Sequence, residues 1–189
     1  MSKSNKKDTT KMAANATIYK ALLNIANMDQ NYYGEHNLTI AQHPSENDLR
    51  LMMRAVAFIL NASDNLMFCK DISEDDEPAL WQKSLSNDIE LWIDLGQPDE
   101  KRIKKACGRS NEVIIYTFQD NIATPWFKHI ESSLQRFKNL KVVNLQIDGN
   151  IEKLANRSIN LQCNISDNEL TLIDNSETSV IVTWEVWKA

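Results

Sequence analysis

Between residues 44 and 61 the chain carries a stripe with one natural reading. Leu49, Met52, Met53, Val56, Ile59 and Leu60 recur at three- and four-residue spacing and share one side of a helix. Pro44 stands at its start, where a missing N–H has no helical acceptor to lose. The pattern therefore predicts a helix from Pro44 to about Asn61. Most other apolar runs are short and suit strands. A helix with a wide apolar stripe must be covered, and strands on this scale cover it with a sheet. The expected class is α/β or α+β: a central mixed β-sheet flanked by helices, with added antiparallel strands from both termini.

The strands can be placed by their punctuation. Residues 16–26 and Tyr32 to Ala41 flank the turn-like Met28-Asp29-Gln30-Asn31 and read as a long hairpin. Residues 65–70 read as a short strand and the acidic residues 71–77 as a loop. Glu77 to Lys83 and Asp88 to Leu95 read as a second hairpin around Ser84-Leu85-Ser86-Asn87, with Ile89, Leu91, Ile93 and Leu95 on one face. Gly96 ends that strand. Pro98-Asp99-Glu100 open a short basic helix to about Cys107, with Gly108 as its stop. Val113 to Phe118 is a buried strand, and Thr124-Pro125 start a helix to about Phe137. Leu140 to Ile147 is a strand and Ile151 to Asn156 a short helix. Strands at 159–165, 170–173 and 180–187 form a closing meander. Residues 1–13 read as a disordered tail before a single domain, 14–189.

Composition removes whole classes of function. The 189 residues hold 21 Lys+Arg and 26 Asp+Glu, a net charge of −5. That balance argues against a generic duplex binder, which needs a dominant positive field. No apolar run approaches the ~20 residues that span a bilayer, so no membrane role is expected. The N-terminus is polar and basic with no apolar stretch behind it, unlike a signal peptide. Cys69, Cys107 and Cys163 are odd in number and contain no CxxC pair. Free thiols suit the reducing cytoplasm, and a monomer is the expected state. Walker, GxGxxG, GxSxG and HExxH motifs are absent. Four glycines cannot build a Gly-rich phosphate cradle. His36, His43 and His129 are isolated.

One constellation carries chemistry. In a regular hairpin centred on Ser84–Asn87, Glu77 and Asp94 oppose each other at the open end. Opposed residues have Cβ atoms about 4.5–5.5 Å apart, and two carboxylates that close call for a proton or a cation. Mg²⁺, held by one or two carboxylates and water, is the natural occupant. Glu46 falls in the first turn of the Pro44 helix and shares the stripe of Leu49 and Met53, so it points at the sheet; helix-dipole compensation is the alternative. Arg50 and Arg54 continue its row and serve to neutralise that acid or to meet a phosphate. Lys101, Arg102, Lys104, Lys105 and Arg109 form the basic helix after Asp94. A lysine of that helix turned to Asp94 completes an acid–acid–lysine set for metal-assisted phosphodiester hydrolysis.

The segments His43-Pro44-Ser45-Glu46, Asp76-Glu77-Pro78 with Leu80-Trp81, and Trp92-Ile93-Asp94-Leu95-Gly96-Gln97-Pro98 followed by Arg102 to Cys107 resemble the bacterial YaeQ protein family. Ala16-Thr17-Ile18-Tyr19-Lys20 is similar to that family's start. The resemblance implies a variant of the PD-(D/E)XK nuclease superfamily, with a restriction-endonuclease-like core over about 43–148 and a loose link to transcription. It implies metal-binding acids at Glu46, Glu77 and Asp94. Two positions depart from that pattern: Glu77 precedes Pro78 rather than following a proline, and Gly96 stands where the superfamily has lysine. Lys101 or Lys105 is the candidate substitute, with Arg50, Arg54 and Arg102 as substrate contacts.

Three readings follow. The first is a Mg²⁺-dependent nuclease-like enzyme. The second is a degenerate nuclease fold that binds a nucleic acid end or a transcription-associated protein, through the basic helix and Trp81, Trp92 or Trp126. The third is an internal acid–Arg/Lys network with a structural role only.

Overall fold

In the computed structural model, which describes residues 16–69 and 77–189, the alternating runs become ten strands of one sheet. They are β1 (Thr17–Asn27), β2 (Tyr32–Gln42), β3 (Leu66–Phe68), β4 (Leu80–Lys83), β5 (Ile89–Leu95), β6 (Ser110–Phe118), β7 (Leu140–Asp148), β8 (Ser158–Ser166), β9 (Glu169–Asp174) and β10 (Ser179–Lys188). The helices are α1 (Asp48–Leu60), α2 (Glu100–Arg109) and α3 (Asp120–Leu134), with a 3₁₀ turn at Ile151–Leu154. Strand order across the sheet is β2-β1-β8-β9-β10-β7-β6-β5-β4-β3. The tail at 1–13 and all of the acidic loop but Glu77 lie outside the described residues.

The expected mixed α+β sheet is present, and the terminal strands are integral to it. β5, β6 and β7 are parallel neighbours joined by α2 and α3, the crossover that parallel strands require. β7 continues antiparallel into β10, β9 and β8. β8 then pairs in parallel with β1, placing Ala21 beside Ile159 and Ile25 beside Cys163.

The two faces carry different cores. Ile93 and Leu95 of β5, with Ile114 and Tyr116 of β6, face the large core around α1. Trp92, Val113 and Ile115 alternate with them and face α2 and α3. This is the period-two rule applied to strands buried on both sides. Nine residues of α1 are buried, from Leu51 to Ile59.

The sheet curls until its two edge strands flank α1. His36 of β2 meets Phe58 of α1 edge-on at 5.1 Å, and Phe58 stacks on Phe68 of β3 at 5.5 Å. Arg54 joins the same three elements, donating to Ala41 O of β2 at 2.9 Å and to Cys69 O just after β3 at 3.3 Å.

Several sequence boundaries are corrected. α1 starts at Asp48, not Pro44, because the Asn47 side chain accepts from Arg50 N–H as the N-cap. Pro44 and Ser45 form a turn closed by Glu46 N–H to His43 O at 2.8 Å. Gly108 lies inside α2, which ends where Ser110 N–H returns to Ala106 O and β6 begins. α3 begins at Asp120 and tolerates Pro125 internally; the carbonyl that loses its donor belongs to exposed Asn121.

Arg54 is 1% exposed and holds Glu46 in the interior. Removing one member of a buried ion pair strands the other. Arg54→Ala is expected to lower unfolding free energy by about 3–5 kcal/mol in urea titrations. Arg54→Met with Glu46→Leu recovers part of that loss, since no lone carboxylate remains.

Candidate functional site

Glu46 and Arg50 on the α1 side of the sheet, and Asp94 on the α2 side, lie near the carboxyl end of β5, where the chain leaves the sheet toward α2. Glu46 is buried as expected, although it precedes α1 instead of lying in its first turn. Its Oε2 accepts from Arg54 Nη1 at 3.0 Å, with Oε1 at 3.4 Å. Arg50 is more remote, its Nε 4.0 Å from Oε1. Arg54 is therefore a buried partner of Glu46, not a surface ready for substrate.

The hairpin register differs from the regular one. Ser84 N–H donates to Asp88 O, with Asn87 at φ +69°, giving a loop one residue longer than a symmetric turn. A bulge between Gln82 and Lys83 adds a second step, with Gln82 opposite Leu91 and Lys83 opposite Ile89. The ladder ends at Leu80 opposite Ile93, so the next level sets Asp94 beside Ala79 rather than Glu77. Glu77 contributes its carbonyl, which accepts from Arg102 Nη2 at 2.8 Å.

Asp94 is 4% exposed and faces the α2 layer beside Trp92. Its partner is Arg102, not a lysine. The guanidinium forks onto the carboxylate, Nε to Oδ2 at 2.9 Å and Nη2 to Oδ1 at 2.7 Å. Trp92 Nε1 adds a third donor to Oδ2 at 3.0 Å. This bidentate geometry is the one guanidinium provides and ammonium cannot. The Asp99 side chain caps α2 by accepting from Arg102 N–H at 2.7 Å, which fixes where that arginine emerges.

Gly96 has φ +87°, and among the described residues a Cβ there would meet Arg50 Nη1 alone, at 3.6 Å. The backbone conformation, rather than crowding, selects glycine here.

Arg50 completes the cluster. Its Nη1 donates to Leu95 O at 3.3 Å, and a third of its side chain is exposed. Burial pulls its pKa down; Glu46 and Asp94 oppose that, while Arg54 and Arg102 add to it. Lys101 and Lys105, one turn apart on α2, line a shallow pocket of about 270 Å³ with Arg102 and Asp99. Among the described residues no three His, Cys, Asp or Glu side chains gather as metal ligands. Trp92 is fully buried and so offers no contact surface; Trp126 is partly buried, its Nε1 donating to Pro98 O. Trp81 carries Lys83 Nζ over its ring at 3.6 Å.

Reading by sequence missed Arg102 as the acid's partner and Trp92 as its support. The signal for Trp92 was present: residues 92 and 94 share the face opposite Ile93 and Leu95.

A curled ten-stranded sheet with one helix inside, two outside and this charged cluster at the end of β5 defines an α+β protein with a polar site at a strand terminus. A family model described as YaeQ protein matches residues 12–184, and the chain belongs to the YaeQ family. The YaeQ protein of Salmonella typhi, itself described as uncharacterized, is 38% identical over 179 residues, covering 92% of this chain and 98% of that one. The YaeQ protein of Escherichia coli K12, described in the same way, is 37% identical over 179 residues, covering 94% and 98%. The crystal structure of YaeQ from Xanthomonas axonopodis pv. citri matches with TM-score 0.87 at 40% identity, covering 92% of this chain and 99% of that one. That of Pseudomonas syringae YaeQ matches at 0.83 and 27% identity, covering 92% and 97%.

Arg102→Ala is expected to cost about 2–3 kcal/mol, the scale of hydrogen bonds to a charged group. Arg102→Lys restores little of it, because one ammonium cannot fork onto both oxygens; thermal unfolding of the pair measures the difference. Burial also pushes the Cys69 and Cys163 thiols up to about 12 and Cys107 to about 11. The thiolate is the reactive form. At pH 8 the folded chain should resist Ellman's reagent, Cys107 reacting first, and release all three thiols in denaturant.

Proposed function

We propose that this chain is a binding protein for a phosphate at a nucleic acid end, built on a nuclease-like core over about residues 43–148, and that it does not hydrolyse the phosphodiester. The observation that carries this reading is the allocation of the acids. Glu46 is taken by Arg54 and Asp94 by Arg102, so Arg50 keeps its charge with only a 4.0 Å contact to a carboxylate. A divalent cation needs open carboxylate oxygens. Both oxygens of Asp94 and both of Glu46 already face guanidinium groups, and Mg²⁺ does not fit these donors as they stand. An anion does fit. Arg50, a third of its side chain in solvent, and Lys101 of α2 supply cations around one strand end. The net charge of −5 restricts such binding to a local contact rather than a tract of duplex.

The test uses fluorescent single strands and blunt duplexes, with and without a terminal phosphate. Arg50→Gln is expected to weaken binding several-fold and to reduce the slope of log K against log[salt] by about 0.7–0.9, one phosphate contact. Titration calorimetry is expected to show no saturable Mg²⁺ or Mn²⁺ binding. Metal-dependent cleavage that disappears in Asp94→Asn would overturn the proposal in favour of a nuclease.

A further inference from the structure

The carboxyl end of α1 opens into a cavity of about 330 Å³ that no part of the phosphate proposal uses. Arg50 lies in the helix's first turn; the cavity lies beyond its last, at Asn61. Glu112 and Tyr116 reach it from one face of β6, Lys141 from β7 and Trp184 from β10. Asp29, in the β1–β2 turn, borders it and accepts from the N–H groups of Asp167 at 2.9 Å and Asn168 at 3.2 Å, which ties two turns together at the rim.

Two features set this cavity apart from a gap in packing. The first is its buried polar wall. Tyr116 is 5% exposed, and its hydroxyl accepts from Asn61 Nδ2 at 2.8 Å. Burial, with a smaller push from Glu112, raises that hydroxyl to about 12, so it stays neutral. The second is the charge pattern. Ile114 pairs with Lys141, so Glu112 and Lys141 are diagonal neighbours on one face. Yet neither forms an ion pair with any described residue. Opposite charges facing one cavity without closing on each other leave room for a molecule that bridges them.

The sign of the field narrows the ligand. Glu112, Asp29 and the carboxyl end of α1 are negative, and the last turn of α1 holds no basic residue to offset its dipole. Lys141 is the single cation of the lining among the described residues. An anion such as a nucleotide is disfavoured, and a plain amine leaves Lys141 unused.

We propose that this cavity binds a small zwitterion of the free amino acid class. Its ammonium is held by Glu112 at the carboxyl end of α1, its carboxylate by Lys141, and its side chain lies against Trp184. Size is compatible, since small-molecule sites begin at about 300 Å³.

The full-length protein would be titrated by calorimetry with each of the L-amino acids. The best binder would be compared with its decarboxylated amine and its N-acetyl derivative. At least one amino acid is expected to bind saturably, with both derivatives weaker by about tenfold or more, the scale of one charged hydrogen bond. Glu112→Gln and Lys141→Met are each expected to weaken it by about as much. Circular dichroism checks that these solvent-reaching substitutions leave the fold intact. Arg50→Gln is expected to leave amino acid binding unchanged, which separates this site from the phosphate site. Absence of saturable binding by any amino acid overturns the proposal. So does an amine that binds as tightly as its amino acid, or an affinity that neither substitution alters.

Discussion

One guanidinium group bridges the gap that the sheet leaves. A sheet that curls without closing has two edges with unpaired N–H and C=O groups, which need cover. Here the two edges are β2 and β3, and α1 lies between them. Arg54 donates to a carbonyl at each side and sits 5.3 Å from the Phe68 ring centre. Its charge requires a counterion in the interior, and Glu46 supplies it. Buried pairs of this kind add little net stability because desolvation offsets attraction. What the pair provides is position: it fixes α1 against both edges and draws the segment before the helix inward. The placement of Arg50 beside Leu95 depends on that anchorage.

The same logic explains the character of the strand-end site. An acid buried beside a parallel strand must be neutralised, and the neutraliser decides the chemistry. With a cation from solvent the carboxylates would remain available to a metal. With guanidinium groups supplied by α1 and α2 they are consumed. The Asp94–Arg102 fork, with Trp92 behind it, leaves the surrounding lysines and Arg50 to set the outward field. The acidic surplus of the whole chain therefore says little about this corner.

Much of the fold was legible because its signals are local. The α1 stripe, the β1–β2 hairpin and the closing meander all follow from period and punctuation. The helix starts were less legible. Pro44 and Pro125 each drew the expected boundary to themselves, whereas Asn47 capping and the Gln119 turn set the real ones. Of the candidate site, the inward placement of Glu46 and Asp94 was legible and their pairing was not. Register over the β4–β5 hairpin depends on a turn and a bulge, and each single-residue step changes which residue stands opposite Asp94. Glu46 was correctly read as inward, though its partner Arg54 is eight residues away in sequence, twice the helix spacing used to propose Arg50. The parallel pairing of β1 with β8 had no local signal, being a contact between segments about 140 residues apart in the chain.

α1 finally links the two ends of the molecule through its own polarity. Its 13 residues span about 20 Å. Its amino end lies by Arg50 and Glu46, its carboxyl end by Glu112 and Asp29. A helix dipole favours anions at the first and cations at the second; Glu46 and Asp48 meet the first, and Glu112 and Asp29 leave the second negative. Communication between the ends would require the helix to slide or tilt. Nine buried residues and the Arg54 bonds to both sheet edges oppose any such motion. The helix is thus better suited to hold two independent electrostatic environments apart than to transmit a signal between them.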